Sequence, residues 1–359
     1  MKKESMEKIR KGIREKDRQI VGLLNERASL SAEMGRLKDL LGREIYDPAQ
    51  ERRVLRCVAE INEGPLSAEA LGRIYREILS SSRQIQAPLS VACLGPESSF
   101  TQMAALSHFG GSARILPQKS IGRVFDELEK GRVSFGVVPL ENSVEGTVKL
   151  TLDRLIDTPL KIRAEIFLRI SHCLLSRGTK ENVLRVYSHP QALAQCRTWL
   201  ARNLPRAEPV ETDSTASAAV RAREDRRGAA IGSRMASRTY GLRILAEGIE
   251  DQPTNTTRFI VLGGGRSEPT GEDKTSILFG TPHIPGALHA SLGPFSRAGI
   301  NLLRIESYPI RNRMWEYLFF VDFAGHTDEK NARNCLRRLE KKTVFLKVLG
   351  SYPKGDENR

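Results

Sequence analysis

Hydrophobic and polar positions follow three different patterns along this chain. Residues 6–41 contain no proline and place Ile9, Ile13, Ile20, Leu24, Met34, Leu37 and Leu41 at roughly helical spacing. The pattern predicts a single helix of about 54 Å, longer than a small domain is wide. Asp47-Pro48 opens a second helix, since proline is tolerated in a first turn, and Leu66-Ser67 starts a third that ends near Gln86. Three helices cannot enclose a core around such a rod, so the long helix is expected to pair with a second copy in a dimer.

Ala87-Pro88 breaks the helical pattern, and strand candidates then alternate with helices: 90–94, 134–140, 170–175, 183–187, 229–232 and 259–262. Such alternation predicts α/β architecture. The apolar run 135–140 reads as a buried parallel strand that ends in Glu141, Asn142 and Ser143, at the carboxyl edge where open α/β sheets capture ligands. Further polar groups fall at strand ends and turns: Ser188-His189-Pro190-Gln191, Asp213-Ser214-Thr215-Ala216 and Asn255-Thr256-Thr257-Arg258-Phe259. The glycine-rich stretch 263–271 follows a strand without opening a helix, and is expected to be a flexible connector rather than a phosphate loop. Beyond it the order strand 275–280, helix 286–298, strand 300–307, strand 315–323, helix 328–341, strand 344–350 is the βαββαβ plan of ferredoxin-like domains. Domain boundaries at 1–87, 88–266 and 272–353 follow.

Composition narrows the function classes. The 359 residues carry a net charge of +14, but the basic residues are spread over the whole length with no nucleic-acid-binding motif, so small anionic substrates account for the balance as well as nucleic acid does. Five scattered cysteines and six histidines lack metal-ligand spacing. No stretch has signal-peptide or membrane-spanning character, and a cytoplasmic location is the default expectation.

On the long helix, Arg27 and Lys38 lie within about 20° of each other and about 16 Å apart along the axis, far enough to hold a small dianion between two long side chains. Arg10 points about 100° away and would have to serve a site on another chain. Ile9-Arg10, Glu26-Arg27, Gly35-Arg36-Leu37-Lys38, Tyr46-Asp47-Pro48-Ala49-Gln50-Glu51 and Ser82 with Gln86 resemble the motif set of the all-helical chorismate mutases. The resemblance implies a swapped helical dimer in which Arg27 and the partner's copy of Arg10 bind carboxylates. It also implies that Lys38 and Gln86 address the ether oxygen, that Asp47 and Glu51 hold the ring hydroxyl side, and that Ser82 lies near a carboxylate. Gln50 stands where relatives commonly have arginine.

Residues 91–262 resemble prephenate dehydratase through Leu94-Gly95-Pro96-Glu97 with Phe100-Thr101, Val138-Pro139-Leu140-Glu141-Asn142-Ser143, Ser188-His189-Pro190-Gln191 with Gln195-Cys196, and Thr257-Arg258-Phe259. This implies two lobes of periplasmic-binding-protein type around a cleft. Thr257 would be the hydrogen-bond donor to the departing hydroxide and Arg258 the cation of the site. Asn142, Ser143, Ser188, Gln191 and Gln195 would position substrate, with Glu141 either a site carboxylate or an orienter of Arg258. Gly95-Pro96-Glu97-Ser98-Ser99 departs from the family's usual Gly-Thr before Phe.

Gly286-Ala287-Leu288, Asn301-Leu302 and Glu306-Ser307 resemble the phenylalanine-binding ACT domain, in which the amino acid is buried between two subunits. Tyr308 stands where the family favours arginine. Together the resemblances imply a multidomain enzyme with helical, α/β two-lobed and α+β ferredoxin-like parts. It would catalyse consecutive steps towards phenylalanine with feedback by that amino acid, as a homodimer or homotetramer, with neither metal nor organic cofactor and without nucleic-acid or membrane partners. The alternative is a cytosolic amino-acid-sensing protein whose helical segment serves only dimerisation.

Overall fold

The computed structural model describes residues 2–309 and 317–356. The chain forms two compact units, one built from the N-terminal helices with Phe109–Arg114, the other from Ser90–His108 and everything from Ile115 onward.

In the first unit, helix α1 (Lys2–Leu40) runs for 39 residues, followed by α2 (Pro48–Glu60) and α3 (Ala68–Gln86). Asp47 caps α2 with Pro48 in its first turn, and Ser67 caps α3 by accepting from Ala70 N. Ile9, Ile13, Ile20, Leu24, Met34 and Leu37 of α1 remain exposed within the chain, an apolar face that the protomer does not cover.

The second unit holds three sheets. In order along the chain its strands are β1 (Ser90–Leu94), β2 (Arg114–Gln118), β3 (Phe135–Asn142), β4 (Gly146–Thr147), β5 (Lys161–Arg169), β6 (Cys173–Ser176), β7 (Arg185–Ser188), β8 (Glu208–Glu211), β9 (Gly228–Gly232), β10 (Arg243–Glu247), β11 (Thr256–Gly263), β12 (Asp273–Gly280), β13 (Leu302–Pro309), β14 (Tyr317–Ala324) and β15 (Phe345–Pro353). The first lobe has the order β2-β1-β3-β11-β5, with β4 on β3, and the second has β10-β6-β9-β7-β8. The chain crosses between the lobes after β5 and returns before β11. These two crossings meet through Ile170 N to Asn255 O at 2.8 Å and Ile249 N to His172 O at 3.2 Å. The apolar strand β3 is parallel to β1 but antiparallel to β11, so the expected parallel strand lies in a mixed sheet.

The third sheet, β13-β14-β12-β15, follows the expected βαββαβ order. The expected strand 315–323 begins at Tyr317, its first two residues lying outside the described ones. One face of this sheet packs Ile277, Phe279, Phe319, Val321 and Phe323 against its two helices. The other shares a core with the first lobe, where Leu278, Phe320 and Leu349 join Leu152, Leu155 and Ile162. Gly350 permits the close approach, since a Cβ there would fall on the Ile162 carbonyl. The stretch 263–271 is not the free connector that its glycines suggest. Arg163 donates to the carbonyls of Gly264 and Arg266, His326 Nε2 meets the Ser267 carbonyl at 3.0 Å, and Asp273 accepts from Thr270 and Gly271, so buried polar partners fix it.

Candidate active sites

In the helical unit, Arg27 Nη1 donates to Ser82 Oγ at 2.6 Å and Lys38 Nζ to the Ile45 carbonyl at 2.8 Å. The cap formed by Asp47, which accepts from Gln50 N at 2.9 Å, sets the start of α2 and hence the direction of Glu51 one turn later. Glu51 pairs with the buried guanidinium of Arg83 and also feels the charges of Asp47 and Lys38. Burial pushes the Glu51 carboxyl up, and Arg83 only partly offsets this. Gln86 packs against Gly35, where any Cβ would come within 2.8 Å of Gln86 Cγ, so glycine lets α1 and α3 close on each other. Gln86 Oε1 is buried without a hydrogen-bond partner.

Six expected residues, Arg27, Lys38, Asp47, Glu51, Ser82 and Gln86, therefore lie along one stretch of the three helices. Arg10 does not join them. It lies about 26 Å along α1 from Arg27, exposed and 3.8 Å from Glu7. The sequence reading misses Arg83, although an arginine on the face that carries Leu79 and Ser82 was a visible signal.

In the two-lobed region, cross-strand register places Thr257 opposite Asn142 and Arg258 opposite Glu141. Asn142 Nδ2 donates to Thr257 Oγ1 at 2.8 Å and to Asn255 Oδ1 at 2.7 Å, while its Oδ1 accepts from Val144 N and Glu145 N. Because Thr257 Oγ1 accepts from Asn142, its own proton is directed elsewhere. Ser143 is pinned to Thr256, its Oγ accepting from Thr256 N at 3.0 Å. Gln191 and Gln195 line a cavity of about 400 Å³ with Glu145, Glu250 and Asn255. Gln195 Nε2 donates to Glu145 at 2.9 Å and its Oε1 meets His172 Nε2 at 2.9 Å. Burial pushes the His172 imidazole down, against a weaker opposing effect of Gln195, which favours its neutral form. Sequence reasoning names Asn255 only among the strand-end polar groups and misses His172, both at the lobe crossings where no apolar pattern marks them.

Two expected residues are placed otherwise. Ser188 is fully buried and its Oγ donates to the Ile231 carbonyl at 2.9 Å, so its hydroxyl serves the second lobe rather than an open cleft. Arg258 faces the opposite side of the sheet from Thr257, because successive side chains of a strand alternate. Its Nε lies 2.9 Å from Glu165, its Nη1 2.6 Å from Asp322, and its Nη2 donates to Tyr352 Oη at 3.1 Å. Burial opposes the charge, but Tyr352, Asp322 and Glu165 outweigh it and hold the guanidinium above its ordinary pKa. Lys274 Nζ, 2.9 Å from Glu165, completes the buried cluster. Glu141 lies 4.0 Å from Arg258 and 3.3 Å from Arg304.

The loop that departs from the family pattern has a structural role. Ser98 adopts φ 63°, a left-handed conformation natural to glycine. Its Oγ donates to Thr239 Oγ1 at 2.7 Å and its carbonyl accepts from Ser233 Oγ at 2.7 Å, joining the two lobes.

In the third sheet, Gly286 caps its helix at φ 77°, with Ala287 buried and Leu288 packed on the core. Asn301 and Ser307 are exposed and Leu302 is half-buried on the edge strand β13. Glu306 is engaged within the chain by Arg304 and Thr147. Tyr308, which stands where the family favours arginine, is buried with its hydroxyl bonded to Asp153 of the first lobe.

Three family models match in order: chorismate mutase type II over residues 9–87, prephenate dehydratase over 91–267 and ACT domain over 275–341. The bifunctional chorismate mutase/prephenate dehydratase of Aquifex aeolicus is 46% identical over 98% of both chains. The chain belongs to that family. The structure of a prephenate dehydratase from Arthrobacter aurescens in complex with L-Phe is 34% identical, covering 75% of this chain and 91% of that one with a TM-score of 0.69. A structure described as a novel type of quorum quenching acylase is 29% identical, covers 75% of this chain and 100% of that one, and has the same TM-score of 0.69. The family thus combines here an all-α domain, a two-lobed α/β domain and an α+β ACT domain.

The buried position of Arg258 has a measurable consequence. Arg258→Ala leaves the buried Asp322 without its cation and Glu165 with Lys274 alone, and is expected to cost about 3–5 kcal/mol of stability. Thr257→Val is expected to cost under about 1.5 kcal/mol. Urea denaturation of both variants checks the contrast, and equal losses would contradict it.

Proposed function

We propose that the helical unit converts chorismate to prephenate and that the two-lobed domain converts prephenate to phenylpyruvate, with the ACT domain providing feedback by phenylalanine. The observation that carries this reading is the succession of three family matches on one chain, together with a bifunctional relative aligned over 98% of its length. Boundaries at 1–87, 88–266 and 272–353 are part of the proposal.

The first reaction breaks a C–O bond and forms a C–C bond within one molecule, so it needs no nucleophile. The site has to hold the compact conformer and stabilise charge growing on the ether oxygen. Arg27 and Arg10 of a second copy take the carboxylates, with Ser82 holding the Arg27 guanidinium. Lys38 spends one N–H on Ile45 and retains two for the ether oxygen, beside the buried amide of Gln86. Asp47 and Glu51 address the ring hydroxyl side, and Arg83 orients Glu51. The uncovered apolar face of α1 and the distance of Arg10 from Arg27 support a dimer with shared sites.

In the second reaction the ring carbon loses carboxylate as carbon dioxide, its electron pair flows into the ring, and hydroxide leaves from the opposite carbon. Thr257, oriented by Asn142, donates its hydrogen bond to that oxygen. Asn142, Ser143, Gln191 and Gln195 surround the substrate, and Arg258 supports the strand from behind. Phenylalanine control draws on Gly286, Ala287, Leu288, Asn301, Leu302, Glu306 and Ser307. No described helix is long and apolar enough to cross a membrane. Free cysteines throughout, four of them buried, support a cytoplasmic location.

Supplied with chorismate, Thr257→Ala should accumulate prephenate, whereas Lys38→Ala should leave chorismate unconsumed, each with a loss of at least about 100-fold in its own step. Chromatography of both intermediates distinguishes the two, and wild-type protein that consumes neither substrate rejects the reading. Arg10→Ala and Lys38→Ala variants, each inactive as a mutase, should regain about one quarter of wild-type activity when unfolded and refolded together, since half the random dimers would carry one intact site. No recovery would argue against shared sites. Lowering the pH through the raised Glu51 pKa breaks its pair with Arg83, so mutase activity should have an acid limb centred above the usual glutamate value of 4.5. A pH profile of Glu51→Gln, in which that limb should vanish, checks the assignment.

A further inference from the structure

The ACT sheet reaches the dehydratase strands through alternate residues of β13. Arg304, Glu306 and Tyr308 share one face of that strand and meet Glu141, Thr147 and Asp153 of the first lobe. Arg304 lies at the centre. Its Nη2 donates to Thr147 Oγ1 at 2.7 Å and pairs with Glu306, its guanidinium covers the Phe320 ring at 5.2 Å, and its buried Nη1 lies 3.3 Å from Glu141 Oε2. Nη1 makes no hydrogen bond, so the contact with Glu141 is ionic. Glu141 and Arg258 are cross-strand neighbours on one face of β3 and β11, and Asn142 with Thr257 is the next pair, on the opposite face. A displacement of Glu141 therefore moves the peptide that carries Asn142, and Asn142 orients the Thr257 hydroxyl.

We infer that Arg304 is a positioning residue for the dehydratase step: from the ACT sheet it fixes Glu141 and, through the shared backbone, the Asn142–Thr257 pair. This rests on the dehydratase reading above. Arg304 meets Glu141 on the face opposite Thr257, so its influence passes through Glu141. Glu306 grips the same guanidinium, and an effector contact that withdraws Glu306 alters how Arg304 meets Glu141. Effector strand and reacting hydroxyl are thus joined by one ion pair and one turn of the strand pleat.

The test uses the full-length enzyme with prephenate as substrate. Arg304→Met is expected to lower kcat about tenfold while KM changes less than about threefold, and Arg304→Lys to recover most of the loss. Glu141→Gln removes the same contact from the other side, and the double variant should be no slower than the worse single one, because the two residues act as a pair. Phenylalanine binding, measured by calorimetry, should persist in Arg304→Met while its effect on kcat shrinks. A folded Arg304→Met variant with wild-type kcat, or fully additive losses in the double variant, overturns the inference. Should Arg304→Met not fold, Glu141→Gln decides alone, and an unchanged kcat in that variant also overturns it. Wild-type enzyme that forms no phenylpyruvate would instead reject the dehydratase reading itself.

Discussion

Four charges taken out of water, Arg258, Lys274, Glu165 and Asp322, hold the two-lobed domain to the ACT sheet, and the rest of the second unit is arranged around them. Two cations and two carboxylates cancel in formal charge, and Ser276 and Tyr352 supply further hydrogen bonds. Charges buried in this way are tolerated only in a closely fixed geometry, since each one misplaced costs several kcal/mol. The cluster therefore specifies one docking of sheet on lobe where an apolar contact alone would allow several. It also anchors β11 beside the irregularity between Arg258 and Phe259, next to the register in which Thr257 pairs with Asn142.

The two proposed reactions make similar demands of very different folds. Neither calls for a covalent intermediate, and in both the protein's task is to present donors already oriented to an oxygen that gains charge. In the proposed roles, the helical unit would do this with long cationic side chains held by short-range partners, Lys38 on Ile45 and Arg27 on Ser82. The lobes would do it with neutral groups, the Asn142 amide fixing the Thr257 hydroxyl. The cavity beside Gln195 has Glu145 and Glu250 in its lining, so a doubly negative substrate would place its carboxylates away from it and towards the Asn142 and Ser143 side.

Much of this architecture was legible in the sequence, and the reasons differ from part to part. Helical periodicity without proline gave α1 almost to its ends, and Asp47-Pro48 and Ser67 marked the next two helices because capping chemistry is local. The apolar strands β1, β3, β9 and β11 were visible for the same reason. Strands β2, β8 and β10 were not, since their half-exposed residues carry no strong alternation, and β5 was hidden by Lys161, Arg163 and Glu165, whose burial depends on partners 100 residues away. The motif containing Thr257 and Arg258 drew attention to two adjacent residues as one site. The pleat separates them, and only tertiary pairing with Asp322 reveals that the arginine looks the other way. Ser188 misleads for a related reason: a hydroxyl at a strand end looks available until its acceptor, the Ile231 carbonyl, is known.

Ser98 carries a further consequence. A non-glycine residue in the left-handed region costs about 1–2 kcal/mol, and here that cost coincides with two hydrogen bonds that bridge the lobes. The backbone acts as a small spring set against a latch of comparable strength. Where glycine would give a hinge indifferent to its own angle, serine makes the opening of the cleft a contest between two terms of similar size. Thr239 and Ser233 thereby set the balance of that contest from the second lobe, through the two bonds they make to Ser98.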